Sequence, residues 1–201
     1  MKFLKNTFLL LLTFALIYIS TILYFKFTDQ KCEEGNCENG KGKMSFRNGT
    51  IYIGDFKNGK FHGEGAIRTK EAEEYVGNWV EGEKQGYGNL LYKNGDRYEG
   101  YFDKGKKNGK GKFSYASGVK IIGEFKAGDP EGICVLEYYN QSYTGYYKTG
   151  IIYDGSGIYI YDDGKRYLGE WKQGKRNGKG VLLDEEGNTI QAGVWEDDVL
   201  K

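Results

Sequence analysis

Most of the side chains in this sequence that could do chemistry sit in two glycine-rich stretches. "DKGKKNGK" holds Lys104, Lys106, Lys107 and Lys110, and "KQGKRNGK" holds Lys172, Lys175, Arg176 and Lys179. Glycine beside lysine admits two chemistries: a backbone loop wrapped around a phosphate, or ammonium groups offered to an anionic surface. The first fails on spacing. Gly105 to Gly109 is one residue shorter than a Walker-type loop, Lys112 rather than Ser or Thr stands nearby, and no Gly-x-Gly continues to Gly-x-x-Gly. A phosphate loop also opens a helix, whereas the flanking pattern here has a β period. The second chemistry makes these eight residues the candidate lipid contacts, each contributing about 1 kcal/mol near an anionic bilayer. Against it, the matching stretches "EGEKQG" and "AGDPEG" interrupt the basic stripe with acid. Solvated turn charges that discourage edge pairing explain the lysines equally well.

Other chemistry has little raw material. His62 is the one histidine, placed in "GKFHG", and is expected to be an exposed turn residue with no partner for a metal or a proton relay. Cys134 falls in a small-residue slot on the packed phase, where a thiol without a base is inert. Asp55 and Glu170 follow glycines and should face solvent. Lys and Arg total 29 against 28 Asp and Glu, a net charge of +1, so nothing favours nucleic acid. Neither a cofactor, a metal nor an enzymatic activity is expected.

The elements that position these residues differ sharply along the chain. Residues 1–6 form a short basic tail. Residues 7–25, "TFLLLLTFALIYISTILYF", are uncharged and flanked by Lys2, Lys5 and Lys26. As a helix they reach about 28 Å, close to the hydrocarbon core, which predicts a single transmembrane signal-anchor helix. A cleaved signal, releasing a secreted protein, is the alternative; the bulky "ILYFKF" exit and the lack of Ala-x-Ala argue against it. The basic tail predicts a cytoplasmic N-terminus with the remainder outside the cytoplasm. Residues 26–38 read as a linker. In it, Cys32 and Cys37 form a disulfide or remain two thiols, depending on compartment.

From residue 39 to 198 the chain repeats itself. "YIGDF" at 52, "YVGNW" at 75, "YEGYF" at 98, "IIGEF" at 121, "YTGYY" at 143 and "YLGEW" at 167 are spaced 23, 23, 23, 22 and 24 residues apart. A partial unit occupies 39–49 and a degenerate one, with Trp195, begins near 191. A fixed period of this length indicates a repeat architecture. Within a unit the period is two: Tyr98, Gly100 and Phe102 share one face, as do Gly109, Gly111 and Phe113. Each unit is therefore a β-hairpin, and its inward glycines leave bare backbone for a neighbouring ring. Stacked hairpins give an all-β, elongated, single-layer antiparallel sheet. The repeat core is Tyr52, Gly54, Phe56; Tyr75, Gly77, Trp79; Tyr98, Gly100, Phe102; Gly123, Phe125; Tyr143, Gly145, Tyr147; Tyr167, Gly169, Trp171; and Trp195.

These residues resemble the MORN (membrane occupation and recognition nexus) repeat, Tyr-x-Gly-x-Trp-x-x-Gly-x-x-x-Gly-x-Gly. "YLGEWKQGKRNGKG" matches each fixed position, and the Tyr98 unit does so with Phe102 in place of Trp. Departures are Ile121 for Tyr, Cys134 for the last Gly, and an extra residue between Gly150 and Gly155. The resemblance implies a non-enzymatic scaffold for a protein partner or self-association, here membrane-tethered, or alternatively a module for anionic phospholipid headgroups.

Overall fold

The computed structural model describes residues 30–161 and 163–201; the basic tail and the predicted transmembrane segment lie outside them. The described chain forms one antiparallel sheet of sixteen strands, arranged in sequence order. Its strands are β1 (Gln30–Gly35), β2 (Gly40–Phe46), β3 (Ile51–Lys57), β4 (Lys60–Arg68), β5 (Glu74–Val80) and β6 (Glu83–Leu91). They continue with β7 (Arg97–Asp103), β8 (Lys106–Ser114), β9 (Lys120–Lys126), β10 (Asp129–Tyr138) and β11 (Gln141–Lys148). The last are β12 (Ile151–Ile160), β13 (Arg166–Lys172), β14 (Lys175–Leu183), β15 (Thr189–Glu196) and β16 (Val199–Leu200). The sheet starts earlier than the sequence pattern suggests. β1 lies inside the stretch read as a linker and pairs with β2. All six of its residues are exposed, so an edge strand that buries nothing leaves no alternation to read.

Each repeat begins with a hairpin closed by two residues of positive φ, such as Asn58–Gly59 and Lys104–Gly105. This is the turn whose twist matches the flanking strands. The turn glycine N–H then bonds to the preceding hairpin: Gly82 to Phe61 O at 2.9 Å, Gly105 to Lys84 O at 2.9 Å and Gly128 to Lys107 O at 2.9 Å. One edge of the sheet therefore carries a series of hydrogen bonds additional to the strand ladders.

The core lies on one face. Tyr52, Tyr75, Tyr98 and Tyr167 are wholly buried, each laid over the two glycines paired beneath it. A Cβ at Gly65, Gly88, Gly111 or Gly180 would meet the ring at well under contact distance. The ring hydroxyls of Tyr52, Tyr75 and Tyr98 donate to the carbonyls of Asp55, Asn78 and Tyr101 at 3.0, 3.1 and 3.1 Å. Each ring is wedged edge-on between the aromatic of its own unit and that of the next. Tyr98 meets Phe102 at 5.2 Å and Phe125 at 5.0 Å, and Tyr75 meets Trp79 and Phe102 at 5.1 Å. Such contacts add about 1 kcal/mol beyond burial and couple neighbouring units.

The first glycine of each Gly-x-Gly has a different task from the one its phase implies. Gly109 has φ 98° and Gly86 φ 69°, at bulges where the register shifts between Gly100 and Phe102 and between Gly77 and Trp79. A Cβ at Gly109 would meet the Cβ of Tyr101, away from the core rings. Only the second glycine clears space for the tyrosine.

The units at 121 and 143 depart from this plan. Ile121 stands where the others have Tyr, and Cys134, fully buried, occupies the space over Gly123. Between β11 and β12, Gly145 pairs with Gly155 rather than Gly157. Ile152 then fills the site over Gly157 that a tyrosine ring takes elsewhere, so Tyr143, expected in the core, is only half-buried. Tyr147 is buried, but its hydroxyl has no partner; nor does Trp171 Nε1. By contrast Trp79 and Trp195 donate to Gly65 O and Gly180 O at 3.2 Å.

Candidate functional site

With the motif rings gathered on one face, the other face of the sheet is left uncovered. The strand register sets two rows of side chains running across the strands on this open face. One passes through Val76, Asn89, Glu99, Lys112 and Ile122. The other carries Tyr87 opposite Tyr101, Lys110 opposite Glu124, and Ile133 opposite Tyr146. Between the rows runs a trough of about 520 Å³, floored by Gly111 and Gly123 and lined by Tyr87, Tyr101, Ile122 and Ile133. Further troughs adjoin Val76 and Asn89 and, on β2–β5, Ile53 and Ala66. Tyr101 is 50% and Ile133 72% exposed. Exposed apolar side chains gathered in one place mark an interaction surface far better than scattered ones do.

Its polar groups are largely neutralised from within. Lys112 Nζ lies 2.8 Å from Glu99, and the Tyr87 hydroxyl donates to the same carboxylate at 3.0 Å. The hydrogen bond from Lys112, then that from Tyr87, holds the Glu99 carboxyl below its usual range; Glu99 in turn raises the Lys112 ammonium. The Tyr87 and Tyr101 rings meet edge-on, centroids 5.5 Å apart.

The eight basic residues singled out in the sequence do not form one surface. Lys104, Lys106, Lys172 and Lys175 lie at hairpin ends, with Lys175 3.6 Å from Asp197. Lys110 and Lys179 belong to the open face, opposite Glu124 and Val194. Lys107 and Arg176 turn onto the core. Lys107 Nζ sits 4.4 Å from the Phe113 centroid and 5.6 Å from that of Tyr98, and burial lowers its pKa. The Arg176 guanidinium lies 4.2 Å from Trp195 and bonds to Asp198. Lys84 covers Tyr75 in the same manner, and Phe61 stacks flat on Tyr52 at 3.7 Å. In the units of Tyr52, Tyr75, Tyr98 and Tyr167 the residue two beyond the turn glycine is thus a lid over the tyrosine. The sequence held a signal for it: the column reads Phe61, Lys84, Lys107, Pro130, Ile152, Arg176, and only its aromatic, aliphatic and proline members look like packing residues.

His62 lies in β4 rather than in a turn; it is half-buried, opposite Asp55, with Nδ1 buried and unpartnered. Asp55 and Glu170 face outward and accept the bulge N–H groups of Glu64 and Lys179 at 3.2 and 3.3 Å. Burial raises the Cys134 thiol pKa. Cys32 and Cys37 are joined in a disulfide. Among the described residues no cluster of His, Cys, Asp or Glu could hold a metal, and no helix is long and apolar enough to cross a membrane.

The MORN repeat matches the chain at residues 38–51, 52–66, 75–97, 98–120, 122–143, 151–166 and 167–189. The chain belongs to the MORN repeat family. No curated protein matches it. Among solved structures, it is similar to the SAS-4 (dCPAP) TCP domain of Drosophila melanogaster, in complex with a proline-rich motif of Ana2 (dSTIL). That similarity has 12% identity and a TM-score of 0.44, covering 83% of this chain and 90% of that one. The wild-type TCP10 domain of Danio rerio CPAP is 13% identical with a TM-score of 0.25, covering 83% and 94%. The MORN match skips residues 144–150, where the β11–β12 register slips. Apart from Lys110 and Lys179, the residues of the open face escaped the sequence reading because they alternate with the motif positions and obey no motif themselves.

Proposed function

We propose that this MORN array is a non-enzymatic scaffold that binds a protein partner through the open face of its sheet, tethered to a membrane by residues 7–25. The observation that carries the reading is the uncovered cluster of Tyr87, Tyr101, Ile122, Ile133 and Tyr146, with Tyr101 50% and Ile133 72% exposed. A single-layer sheet has no second wall to bring catalytic groups together around a substrate, which supports a binding role over an enzymatic one. The uncharged run flanked by lysines supports the tether, and the basic tail supports an array outside the cytoplasm.

The test is capture of partners from native membranes by the full chain and by Tyr101→Lys and Ile133→Lys variants. Both side chains are exposed, so the variants retain the fold, and loss of the captured partner in both is expected. Capture unaltered by both would refute the open face as the binding surface. Protease protection of a C-terminal tag reports which side of the membrane the array occupies; complete release of the chain by carbonate washing would refute the tether.

A further inference from the structure

The open face is ordered as well as uncovered. Tyr87 stands opposite Tyr101, Lys110 opposite Glu124, and Ile133 opposite Tyr146. The pairs Gly100–Gly111 and Ile122–Val135 carry this row across the two remaining strand boundaries. From β6 to β11 it therefore runs Tyr87, Tyr101, Lys110, Glu124, Ile133, Tyr146. In either direction it presents two apolar side chains, a charge, the opposite charge and two apolar side chains. A row of this kind is complementary to a second copy of itself.

The matching symmetry is a two-fold axis parallel to the strands, passing between β8 and β9. It sets Lys110 against Glu124 of the second copy, Tyr101 against Ile133 and Tyr87 against Tyr146, each contact being made twice. A two-fold axis running across the strands instead brings Lys110 onto Lys110 or Lys112 of the second copy. Moving the parallel axis by one strand separates Lys110 from Glu124.

The groups involved are free to pair in this way. Glu99 and Lys112 are already joined at 2.8 Å, whereas Lys110 and Glu124 are exposed and, among the described residues, neither belongs to an ion pair. The four apolar members of the row are exposed as well. Six strands, β6 to β11, at about 4.8 Å apart and with about seven residues each, offer roughly 700 Å² per copy, close to the ~800 Å² of a standard interface. Facing sheets cross at about 30°, which lets Tyr101 and Ile133 of one copy enter the trough of the other.

We propose that the open face docks a second copy of this chain, sheet against sheet, about a two-fold axis parallel to the strands between β8 and β9. The proposal rests on the reading of the open face as a protein-binding surface and names the partner.

Sedimentation equilibrium of the full chain in detergent micelles tests it. A dimer is expected at about 10 μM, weakened at least about tenfold by Lys110→Glu and by Glu124→Lys, each of which sets like charges together twice. An equal mixture of these two variants should recover the dimer, because each supplies the charge that the other lacks. The conflict of charge inside each variant chain persists in the mixture, so the recovery reports contact between copies. Tyr101→Ser and Ile133→Ser should each weaken the dimer about tenfold, whereas Tyr139→Ser, off the row, should leave it unchanged. A monomer at about 100 μM, or a mixture no more dimeric than its two components, overturns the proposal. Should the chain stay monomeric while native partners are still lost on Tyr101→Lys, the open face remains a binding surface and the second copy is refuted as its occupant.

Discussion

The hairpin of β7 and β8 and the stretch from β9 to β12 solve one packing problem in two ways. In the first, the Tyr98 ring covers Gly100 and Gly111, its hydroxyl is satisfied by the Tyr101 carbonyl, and Lys107 closes over it. In the second, Cys134 and Ile152 take the place of the ring, and Tyr147 is left with a buried, unpartnered hydroxyl. The regular unit joins burial to a satisfied hydrogen bond; the irregular one keeps the burial and gives up the bond. A repeat fold thus tolerates loss of its signature tyrosine when smaller side chains fill the same volume, with stability lost locally.

Alkali should separate the two regions most strongly. Burial raises the phenol of Tyr75 to about 12 and pushes Tyr52 and Tyr98 higher still. These groups stabilise the fold fully below pH 10, where the unfolded phenols are protonated, and the contribution is lost as pH climbs from 10 through the folded-state values. Burial lowers the pKa of Lys84 and Lys107, so they act oppositely and recover some stability as pH approaches 10.5. The tyrosines are the more numerous. In β9–β12 burial raises the Tyr147 phenol and, from a lower ordinary value, the Cys134 thiol. Hydrogen exchange at rising pH should therefore show β9–β12 losing protection first and β3–β8 following above pH 10; simultaneous loss would break the distinction.

Glycine substitution comes next. Gly111→Ala drives a Cβ into the Tyr98 ring and should destabilise the chain by about 3 kcal/mol in urea denaturation. At Gly145 the nearest atom would be Ile152 Cγ2 at 3.2 Å, and Ala there should cost about 1 kcal/mol. The hydroxyls should give smaller effects of opposite sign. Tyr98→Phe leaves the Tyr101 carbonyl without its donor and should cost about 1 kcal/mol, whereas Tyr147→Phe removes an unpartnered polar atom and should be neutral or stabilise by up to about 1 kcal/mol. Smallest is the pair of neighbouring lysines: Lys106→Glu should change the thermal midpoint little, within about 0.5 kcal/mol. Lys107→Glu, placing a carboxylate over ring faces, should be measurably worse.

Much of this architecture was legible before any coordinates. The 23-residue period and its internal alternation specify hairpins, and recurrence of Tyr with Gly specifies rings over bare backbone. Other features were hidden for physical reasons. β1 buries nothing, so it has no pattern. Gly109 looks in phase with Gly111, but the bulge between them changes its face. Tyr143 carries the motif, yet one extra residue in the next strand shifts the register beneath it. Lys107 reads as solvated because its aliphatic stem and ring-facing ammonium leave no trace in composition. The open face is least legible: its residues alternate with the motif positions, and no packing partner within the sheet fixes their type.

The sheet never closes, and each repeat adds two strands along one axis. Fifteen intervals of about 4.8 Å separate the outermost strands by roughly 72 Å along the hydrogen-bonding direction. The array is therefore a gauge as well as a surface. Deleting the 23 residues from Tyr75 to Arg97 would shorten it by about 10 Å while leaving the other hairpins intact. Whatever it joins would be held at a separation counted in repeats.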